Sequence, residues 1–399
     1  MGALDGIRVL ELAQGIHGPY AAMLLADMGA DVVKVEPPRG ELNRSAAVVD
    51  GKLTIGSQFY ACNRNKRVVC LDLKQPEGCE IVRRLAADSD VLVENMRAGT
   101  LEKFGLDYPA LSALNPRLIY ATGSSYGPVG PDAHLTSLDI VAQAAGGLAA
   151  HTGTEDSGPL PAGAAIADHA GALWLSWGIM VALFARERTG RGQRVTSSLL
   201  GGQIGLQAWE MTHYLLTGVE PERPGTGHPL ARGPWRIFAT KDGHFSMGGV
   251  TDTTWPGLCE AIERHDLIKD TRFAGAAQRL ANTDDLLAIL EPVFASFLTA
   301  ELVRRLRAHG QVVAAVATYS ALAQDAQVKA NGYLTTLPTD EFGELPMVGM
   351  PVQLSETPGS IRTRPPDIDA HTAEVLRELG YADEDVARLY LGGVAGAIV

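Results

Sequence analysis

The fold is decided near the N-terminus, in the stretch that begins with the apolar run Ile7–Leu12 (IRVLEL). The β-branched and apolar residues of this run predict a strand. After the loop AQGIHG, Pro19 opens a predicted helix, Tyr20–Met28 (YAAMLLADM), which Gly29 closes. A second predicted strand, Asp31–Glu36 (DVVKVE), follows and ends at two prolines. A strand, a helix and a strand in this order predict the first unit of a parallel sheet.

The loop after the first strand argues against a dinucleotide cofactor. Glu36, at the end of the second strand, has about the spacing that NAD-binding folds use for an acidic residue. The loop itself reads Gly15–Pro19 (GIHGP), so the third glycine of a G-x-G-x-x-G pattern is missing. Proline also removes a backbone N–H group that would hold a pyrophosphate. We therefore expect a doubly wound α/β fold without NAD.

Strand and helix patterns alternate through the first half of the chain, which is typical of a parallel sheet covered on both faces. Further predicted strands are Arg67–Leu73, Asp90–Glu94, Leu118–Thr122 and Arg194–Ser197, and further predicted helices are Pro76–Asp88, Thr136–Ala149 and Asp168–Arg188. We predict a large Rossmann-like α/β domain over residues 1–216 and a Pro- and Gly-rich linker over 217–233. A smaller α+β domain is predicted over 234–330, and residues 331–399 are predicted to return to the large domain.

The composition favours a cytoplasmic enzyme. The 399 residues are 46% hydrophobic, which is enough for at least one large core. The net charge of −12 argues against a nucleic acid or an anionic membrane surface as partner. The four cysteines lack metal-ligand spacing, so we expect reduced thiols and no metal site. No signal peptide precedes the first strand, and the apolar run Ala170–Ala185 spans about four turns, too few to cross a bilayer.

Asp168 stands directly before the long apolar helix, in the sequence Gly163–Gly171 (GAAIADHAG). An aspartate in this position is most often an N-cap. The alternative is a nucleophile, because the helix dipole and free N–H groups would keep its carboxylate ionised. The small neighbouring residues would let a bulky substrate approach, and a partly desolvated carboxylate attacks an activated carbonyl group. The residues alone leave both interpretations open.

Two other motifs give weaker indications of function. Gly123–Gly127 (GSSYG) matches the G-x-S-x-G nucleophile elbow, but Pro128 and Pro131 forbid the helix that must follow. Ser125 is therefore predicted to be a loop residue. Cations cluster in Asn63–Arg67 (NRNKR), which is either a solvated loop or a site for a phosphorylated ligand.

Taken together, several stretches of the chain resemble the class III CoA-transferases, whose members include formyl-CoA transferase and the carnitine CoA-transferases. The matching stretches are Val9–Leu12, Gly18–Pro19, Leu25–Pro37, Asn65–Arg67, Leu71–Lys74, Glu94–Arg97, Gly99, Asp139–Gly147, Asp168 and Arg188–Val195. The resemblance runs over nearly the whole chain. It implies a Rossmann-like large domain built from both chain ends, a small domain, and a homodimer whose subunits are interlinked like the rings of a chain.

The resemblance also implies a covalent mechanism at Asp168. Its carboxylate would attack the thioester of a donor acyl-CoA, giving a mixed anhydride, and the transfer of CoA to an acceptor carboxylate would pass through an aspartyl-CoA thioester. CoA thioesters and carboxylic acids are then the substrates, with no metal and no permanently bound cofactor. CoA-binding positions carried over from the family are Ile16, His17, Leu71, Asp72, Leu73, Lys74, Asn95, Met96, Arg97 and Lys103. Arg39 would replace a family arginine, and Gly248 and Gly249 correspond to the glycine loop that guards the intermediate.

The main alternative is an α-methylacyl-CoA racemase, which shares the fold. Such enzymes carry their catalytic His in a Gly-His-Asp triplet, where this chain has Ser137–Asp139 (SLD), and leucine cannot accept a proton. His134 and His169 are the substitutes nearest in sequence. A CoA-binding protein without catalysis is disfavoured by the intact Asp168, and an NAD oxidoreductase by the first loop. Ile16 replaces a glutamine of formyl-CoA transferase, which argues against oxalate or formate as substrate.

Overall fold

The structure is a computed structural model that describes residues 2–44, 48–49, 52–53, 56–340 and 343–398. The remaining residues of the predicted large domain lie outside this description. In chain order the strands are β1 (Arg8–Leu12), β2 (Asp31–Glu36), β3 (Val48–Val49), β4 (Lys52–Leu53), β5 (Lys66–Cys70), β6 (Val91–Glu94), β7 (Ile119–Ser124), β8 (Arg194–Ser198), β9 (Gly227–His228), β10 (Ala231–Ala239), β11 (His244–Met247), β12 (Val313–Ala315), β13 (Leu334–Thr339) and β14 (Gly343–Val348).

The helices are distributed along the whole chain. They are α1 (His17–Asp27), α2 (Ser57–Cys62), α3 (Pro76–Ala87), α4 (Thr100–Lys103), α5 (Tyr108–Leu114), α6 (Asp139–Ala145), α7 (Ile166–Thr189), α8 (Leu199–Leu206), α9 (Ala208–Thr217), α10 (Trp255–Ala261), α11 (Ala276–Ala281), α12 (Thr283–Ala295), α13 (Thr299–Ala308), α14 (Tyr319–Gln324), α15 (Ala326–Ala330), α16 (Thr372–Glu378) and α17 (Asp383–Leu391). Helix α1 begins two residues before Pro19, and α7 begins two residues before Asp168, both earlier than predicted.

The chain divides into two compact units. Unit 1 comprises Met1–Gly146, Gly163–Leu206 and Ala326–Val399, and unit 2 comprises Gly147–Ala162 and Gln207–Asp325. The units differ from the predicted domains at residues 147–162 and 207–216, which group with unit 2, and at residues 326–330, which group with unit 1. Hydrogen bonds explain the first difference, because Gly225 N–H donates to Gly153 O at 3.0 Å and Arg223 Nε to Thr154 O at 3.1 Å. The stretch predicted as a linker, 217–233, contains β9 and the start of β10.

Unit 1 contains a six-stranded sheet in the order β5-β2-β1-β6-β7-β8. All five neighbouring pairs are parallel, as predicted from the alternating strands and helices. The strand order reverses between β1 and β6. In open sheets of this kind, ligands bind outside the carboxyl ends of the strands at such a reversal.

Two hydrophobic cores cover the two faces of this sheet. On one face, Val9 and Val32 of the sheet pack with Leu25 of α1 and Leu175 of α7. On the other face, the residues in contact come from α3, α5, α16 and α17 as well as the strands. The alternation of side chains along each strand separates the two sets. Burial on both faces explains why the strands read as nearly continuous apolar runs.

The C-terminal segment of the chain covers the open edge of the sheet at β5. His371 N–H donates to Val68 O at 3.1 Å, and Cys70 N–H donates to Thr372 Oγ1 at 2.9 Å. Gly396 N–H then donates to Cys70 O at 3.1 Å. Unit 1 is therefore completed by residues from both ends of the chain.

Unit 2 is built on an antiparallel sheet in the order β12-β11-β10-β9. One face of this sheet packs against α10, α12 and α13. Phe238, Phe245 and Phe294 meet at its centre, with ring centroids 4.9 to 5.6 Å apart. Aromatic rings at such separations contribute more than their buried area alone. The hairpin predicted at the start of the small domain is present as β10 and β11.

Helix α7 has 24 residues and is long and apolar enough to span a membrane by length and composition. The prediction that this run is too short for a bilayer was therefore wrong, because the helix continues past the apolar run at both ends. In its most apolar window, 44% of the residues are buried inside the protein. The exposed side carries Leu173, Trp177, Val181 and Phe184, which share one helical face.

Candidate active site

A cavity of about 850 Å³ opens in unit 1 at the carboxyl ends of β1, β6 and β7. It lies where the strand order reverses, and it is large enough for part of a sizeable ligand. Its lining comes mainly from the loops that follow these strands, together with the start of α7. These lining residues include Gln14, Gly15, Ile16, His17, Glu94, Asn95, Met96, Arg97, Thr122, Gly123, Ser124, Ser125 and Asp168.

Asp168 is the third residue of α7, so it does not cap the helix. The N-cap interpretation was wrong, because the helix begins at Ile166 and the capping position is Ala165. The side chain of Asp168 is half-buried and lines the cavity. Among the residues that the structure describes, none donates a hydrogen bond to its carboxylate. A carboxylate without such donors is more basic and more nucleophilic than a hydrogen-bonded one.

Asp139, the first residue of α6, takes the capping role instead. Its Oδ1 accepts hydrogen bonds from Ala167 N–H at 2.8 Å and from Asp168 N–H at 3.1 Å. Its Oδ2 accepts from Gln143 Nε2 at 2.5 Å. The side chain of Asp139 thus satisfies N–H groups that an α-helix leaves open in its first turn. The capping carboxylate of α7 is therefore that of Asp139, and not that of Asp168 as the N-cap interpretation expected.

The surroundings of Asp168 make its carboxyl group a weaker acid than an ordinary aspartate. Burial raises the pKa of Asp168 to about 6, and the negative charge of Asp139 also raises it, while His169 acts in the opposite direction. Asp168 is still mainly ionised at neutral pH. Its elevated basicity suits attack on a carbonyl carbon.

The imidazole of His17 is enclosed between two glycines. A Cβ atom at Gly123, in β7, would lie 2.9 Å from the His17 ring, and a Cβ atom at Gly171, in α7, would also lie 2.9 Å from it. His17 is buried, and its Nε2 has no hydrogen-bond partner within the described part of the chain. Burial lowers the pKa of His17 to about 4, against an opposite influence of the Gly171 backbone. The ring is therefore neutral at physiological pH.

Asn95 fixes the loop that precedes His17. Gln14 N–H donates to Asn95 Oδ1 at 2.9 Å, and Asn95 Nδ2 donates to Gln14 O at 2.7 Å. The side-chain amide thus pairs with both backbone groups of one residue. This pairing joins the loop after β1 to the loop after β6, and both loops line the cavity.

The structure brings six of the predicted site residues together around the cavity. These are Ile16, His17, Asn95, Met96, Arg97 and Asp168. The other predicted positions in unit 1 are not among the lining residues, namely Arg39, Leu71, Asp72, Leu73, Lys74 and Lys103. Leu71 is a core residue that bridges to Ala395, and Lys103 is exposed on α4. Gly248 and Gly249 lie in unit 2 directly after β11, where Gly248 N–H donates to Val312 O at 3.0 Å.

The basic cluster at residues 63–67 is engaged in ion pairs within the protein. Arg64 pairs with Asp27 at 2.7 Å, Lys66 with Glu11 at 2.7 Å, and Arg67 with Asp31 at 2.6 Å. The interpretation as a site for a phosphorylated ligand was therefore wrong, because these carboxylates already neutralise the cations. The sequence could not show this, since two of the three carboxylates lie in other strands.

Two arginines line the cavity without such partners. Arg97 and Arg194 make no side-chain hydrogen bond or ion pair with any residue that the structure describes, and both face the cavity. Arg194 was not predicted as a site residue, and neither were Asp139 and Gln14. Arg194 begins a predicted strand, and its nearness to the cavity depends on the pairing of β7 with β8.

The alternative catalytic residues differ in placement. Ser125 follows the end of β7 with no helix after it, which confirms the prediction of a loop residue. Its Oγ accepts a hydrogen bond from Ser137 N–H at 2.9 Å. His134 is exposed and lines the cavity. His169 lies outside this lining, with its Nδ1 2.7 Å from Ala165 O and its ring against Tyr20.

A doubly wound sheet with a desolvated carboxylate in the cavity at its strand reversal defines an α/β enzyme. Comparison with known proteins identifies the family, since the model of CoA-transferase family III matches residues 4–372. The chain is 34% identical to a succinate–glutarate CoA-transferase of Agrobacterium fabrum over 94% of its own length and 95% of that protein. It is 38% identical to a succinyl-CoA:mesaconate CoA-transferase of Haloarcula hispanica over 95% of its length and 97% of that protein.

Solved structures agree with this assignment. A CAIB/BAIF family protein from Brucella suis superposes with a TM-score of 0.85 and 35% identity, covering 95% of this chain and 99% of the other. The chain therefore belongs to family III of the CoA-transferases, and it is a CoA-transferase. The resemblance noted from the sequence is confirmed.

Proposed function

We propose that this CoA-transferase uses Asp168 as a covalent nucleophile. The carboxylate oxygen attacks the thioester carbonyl carbon of a donor acyl-CoA. The carbon–sulfur bond breaks, the CoA thiolate leaves with the electron pair, and a mixed anhydride joins the acyl group to Asp168. The thiolate then attacks the Asp168 carbonyl carbon of this anhydride. The donor acid departs as its carboxylate and leaves an aspartyl-CoA thioester.

The second half of the reaction reverses these steps with the acceptor. The acceptor carboxylate attacks the aspartyl-CoA thioester and releases the thiolate, which forms a new mixed anhydride. The thiolate attacks the acceptor carbonyl carbon of that anhydride, gives the acceptor acyl-CoA and restores the Asp168 carboxylate. No proton is gained or lost over the cycle. The energy of the thioester is conserved because water takes no part.

One observation carries this proposal, namely the environment of the Asp168 carboxylate. It faces a cavity of about 850 Å³, it receives no hydrogen bond from another described residue, and burial raises its pKa to about 6. Asp139 holds the backbone of Asp168 while leaving the carboxylate free to react. An unencumbered, moderately basic carboxylate is what attack on a thioester needs.

The donor acyl group in this proposal is that of a short dicarboxylic acid such as succinate. The two CoA-transferases compared above act, by their names, on succinate, glutarate and mesaconate. Arg97 and Arg194 line the cavity and form no ion pair with a described residue. Burial raises the pKa of the nearby Glu94 carboxyl group, and the charge of Arg194 acts on this group to lower its pKa. A second carboxylate on the acyl group would be attracted by these positive charges. Ile16 replaces a polar family residue, which continues to argue against oxalate and formate.

The proposal also covers the contacts of CoA. Ile16, His17, Asn95, Met96 and Arg97 would contact CoA from the cavity wall. Further proposed CoA contacts outside the lining are Arg39, Leu71, Asp72, Leu73, Lys74 and Lys103. Gly248 and Gly249 are proposed as the loop that shields the covalent intermediate from water. CoA thioesters act here as substrates, with no permanently bound cofactor.

A homodimer of interlinked subunits belongs to the same proposal. The exposed apolar face of α7, with Trp177 and Phe184 each 62% exposed, suits burial against a second copy of the chain. In this proposal α7 is a core helix of a cytoplasmic enzyme rather than a membrane span. Light scattering should give the mass of a dimer that persists on dilution. A protein that is monomeric at micromolar concentration would contradict the interlinked dimer.

Trapping the intermediate tests the catalytic proposal. The protein is incubated with succinyl-CoA, treated with hydroxylamine and digested, and the peptide that contains Asp168 is examined by mass spectrometry. We expect a hydroxamate at Asp168 that depends on succinyl-CoA. Asp168→Asn should give none while still binding CoA. Asp156, an exposed aspartate in unit 2, serves as the internal control and should stay unmodified.

The racemase alternative gives a different result in a parallel experiment. If Asp168 stays unmodified while the protein exchanges the α-proton of a 2-methylacyl-CoA with deuterated water, the transferase mechanism is wrong. His134 would then be the first base to replace, because it lines the cavity. Its substitution by alanine should leave the transferase unaffected in our proposal.

A further inference from the structure

A buried cluster of charges lies next to the loop that carries His17. Glu11 in β1, Lys34 in β2 and Lys66 in β5 have side chains with no solvent exposure. Lys34 Nζ lies 2.7 Å from Glu11 Oε1, and Lys66 Nζ lies 2.7 Å from Glu11 Oε2. One carboxylate therefore joins two amino groups from two other strands. Glu41 adds a second buried carboxylate, with its Oε2 3.3 Å from Lys34 Nζ.

Each lysine of this cluster also holds one end of the same loop. Lys34 Nζ donates to Ala13 O at 2.7 Å, directly before the cavity-lining residues 14–17. Lys66 Nζ donates to Pro19 O at 2.9 Å, two residues after His17 in the first turn of α1. The loop between these two carbonyl groups is thus fixed at both ends to the sheet. Lys66 reaches in addition Asn63 Oδ1 at 2.9 Å.

Stability alone does not account for such a cluster. Removing charges from water is costly, and apolar residues of similar volume are often at least as stabilising as a buried ion pair. The cluster fixes the positions of backbone groups, because the amino groups of Lys34 and Lys66 must each lie at hydrogen-bond distance from a carboxylate and from one particular backbone carbonyl. The two carbonyl groups belong to the loop that lines the cavity. A role in placing that loop explains the position of the charges.

We infer that Glu11, Lys34 and Lys66 are positioning residues, which hold residues 14–18, the loop after β1 and the first two residues of α1, in the geometry that receives CoA. The inference rests on the proposed function in one respect, since CoA is taken as the ligand of this loop. Lys34 also connects the cluster to Glu41, which directly precedes Leu42 and Asn43 of the cavity lining. The same cluster thus fixes two segments of the cavity wall.

Lys66→Met tests the inference, with Arg67→Met as the matched control. Arg67 is the next residue of β5 and pairs with Asp31, Glu374 and Glu378 at the surface, away from the cluster. Hydrogen exchange of the amides in 14–18 and the Kd for free CoA by calorimetry are measured in both variants. We expect faster exchange in 14–18 and a Kd weakened by about tenfold in Lys66→Met, as for the loss of one charge-assisted hydrogen bond. Arg67→Met should change neither.

A double variant keeps the test decisive if Lys66→Met fails to fold. Lys66→Met with Glu41→Gln removes one positive and one negative charge, so Glu11 and Lys34 remain as a balanced pair at 2.7 Å. Glu41→Gln alone is the reference for this double variant, because Glu41 also contacts Lys34 Nζ at 3.3 Å. We expect this folded variant to show the same faster exchange and weaker CoA binding.

Two results would overturn the inference. One is unchanged exchange and unchanged CoA affinity in the folded double variant. The other is an equal loss in Arg67→Met, which would indicate general destabilisation. Neither measurement uses the reaction at Asp168. If the wild-type protein binds CoA but forms no adduct at Asp168, the proposed mechanism is wrong. The inference about Glu11, Lys34 and Lys66 is not affected by that result.

Discussion

The carboxylate of Asp139 accepts a hydrogen bond from the backbone N–H of Asp168 at 3.1 Å, across 29 residues of sequence. Asp139 thus caps helix α7, and Asp168 is the third residue of that helix. The capping charge also lies close enough to raise the pKa of Asp168. The two aspartates therefore have different roles: the carboxylate of Asp139 caps α7, and that of Asp168 faces the cavity.

The pH dependence of the reaction should follow the ionisation of Asp168. Burial first, and the charge of Asp139 second, raise its pKa to about 6, and only the ionised form can attack a thioester. We expect kcat/KM to fall below about pH 6 and to be level above it. In Asp139→Asn the like charge is gone while an oxygen acceptor for the helix N–H groups is kept. The acid limb should then move to lower pH, as measured with saturating acceptor.

An unchanged acid limb in Asp139→Asn would show that burial alone sets the pKa of Asp168. Asp132, an exposed aspartate in the loop before α6, provides a charge-matched control. Asp132→Asn should leave the pH profile where it is.

Asp168→Asn should make the protein more stable at neutral pH. A carboxyl group whose pKa is raised on folding destabilises the folded state when it is ionised. This penalty is absent below the ordinary pKa of 3.8 and complete above about pH 6, and it amounts to at most about 3 kcal/mol. The free energy of unfolding, measured with urea at pH 7.5, should rise in the variant. The difference should shrink as the pH falls below 6.

A pH-independent difference between Asp168→Asn and the wild type would contradict this account of the Asp168 pKa. Lower stability of the variant at pH 7.5 would contradict it as well. Loss of activity is expected in either case, so stability is the informative measurement.

The space around His17 should make Gly171 sensitive to a single methyl group. An alanine inside a helix normally stabilises it by about 1 kcal/mol relative to glycine. In Gly171→Ala the new Cβ atom would lie 2.9 Å from His17 Nε2, so we expect a net loss of about 1–3 kcal/mol. Thermal unfolding should report this loss.

His17→Ala in the same chain should relieve that strain. Gly171→Ala should cost less stability in the His17→Ala background than in the wild type, because the ring that causes the clash is absent. Gly163→Ala, where no atom lies within 4 Å of the added Cβ, should stay within about 0.5 kcal/mol of the wild type. Additive effects of Gly171→Ala and His17→Ala would rule out the direct contact.

Asn95 should prove important for both stability and CoA binding. Asn95→Ala removes two hydrogen bonds to the backbone of Gln14 and should cost about 1–3 kcal/mol of unfolding free energy. The loop after β1 would lose its connection to the loop after β6, so the KM for acyl-CoA should rise more than kcat falls. Asn331→Ala, at a half-buried position with a local hydrogen bond to Gln327 O, is the control. Equal KM values in the Asn95 and Asn331 variants would refute this role.

The parts of the fold that carry local signals were predictable from the sequence. Asp31–Glu36 was predicted with the bounds that β2 has, because its apolar residues end at two prolines. The parallel sheet followed from the alternation of elements. The position of Asp168 in the first turn of an apolar helix was foreseen to within two residues.

What the sequence could not supply are contacts between distant segments. The true cap of α7 is Asp139, whose distance along the chain hides the relationship. Lys66 appeared to be a free cation because its partner Glu11 belongs to another strand. Arg194 reaches the cavity only through the pairing of β8 with β7. Each of these depends on the order of strands, which local patterns do not determine.

The cover that the C-terminal segment provides for β5 has a consequence during synthesis of the protein. On the ribosome, β5 emerges long before His371, Thr372 and Gly396, which bond to it in the finished protein. Until then its edge presents unpaired backbone groups that other chains can join. Residues 207–325, by contrast, form a continuous segment with a core of their own. Residues 207–325 can therefore fold before unit 1, which is complete only after the C-terminal segment has been synthesised. Nascent chains are most prone to aggregate between the synthesis of β5 and that of the C-terminal segment.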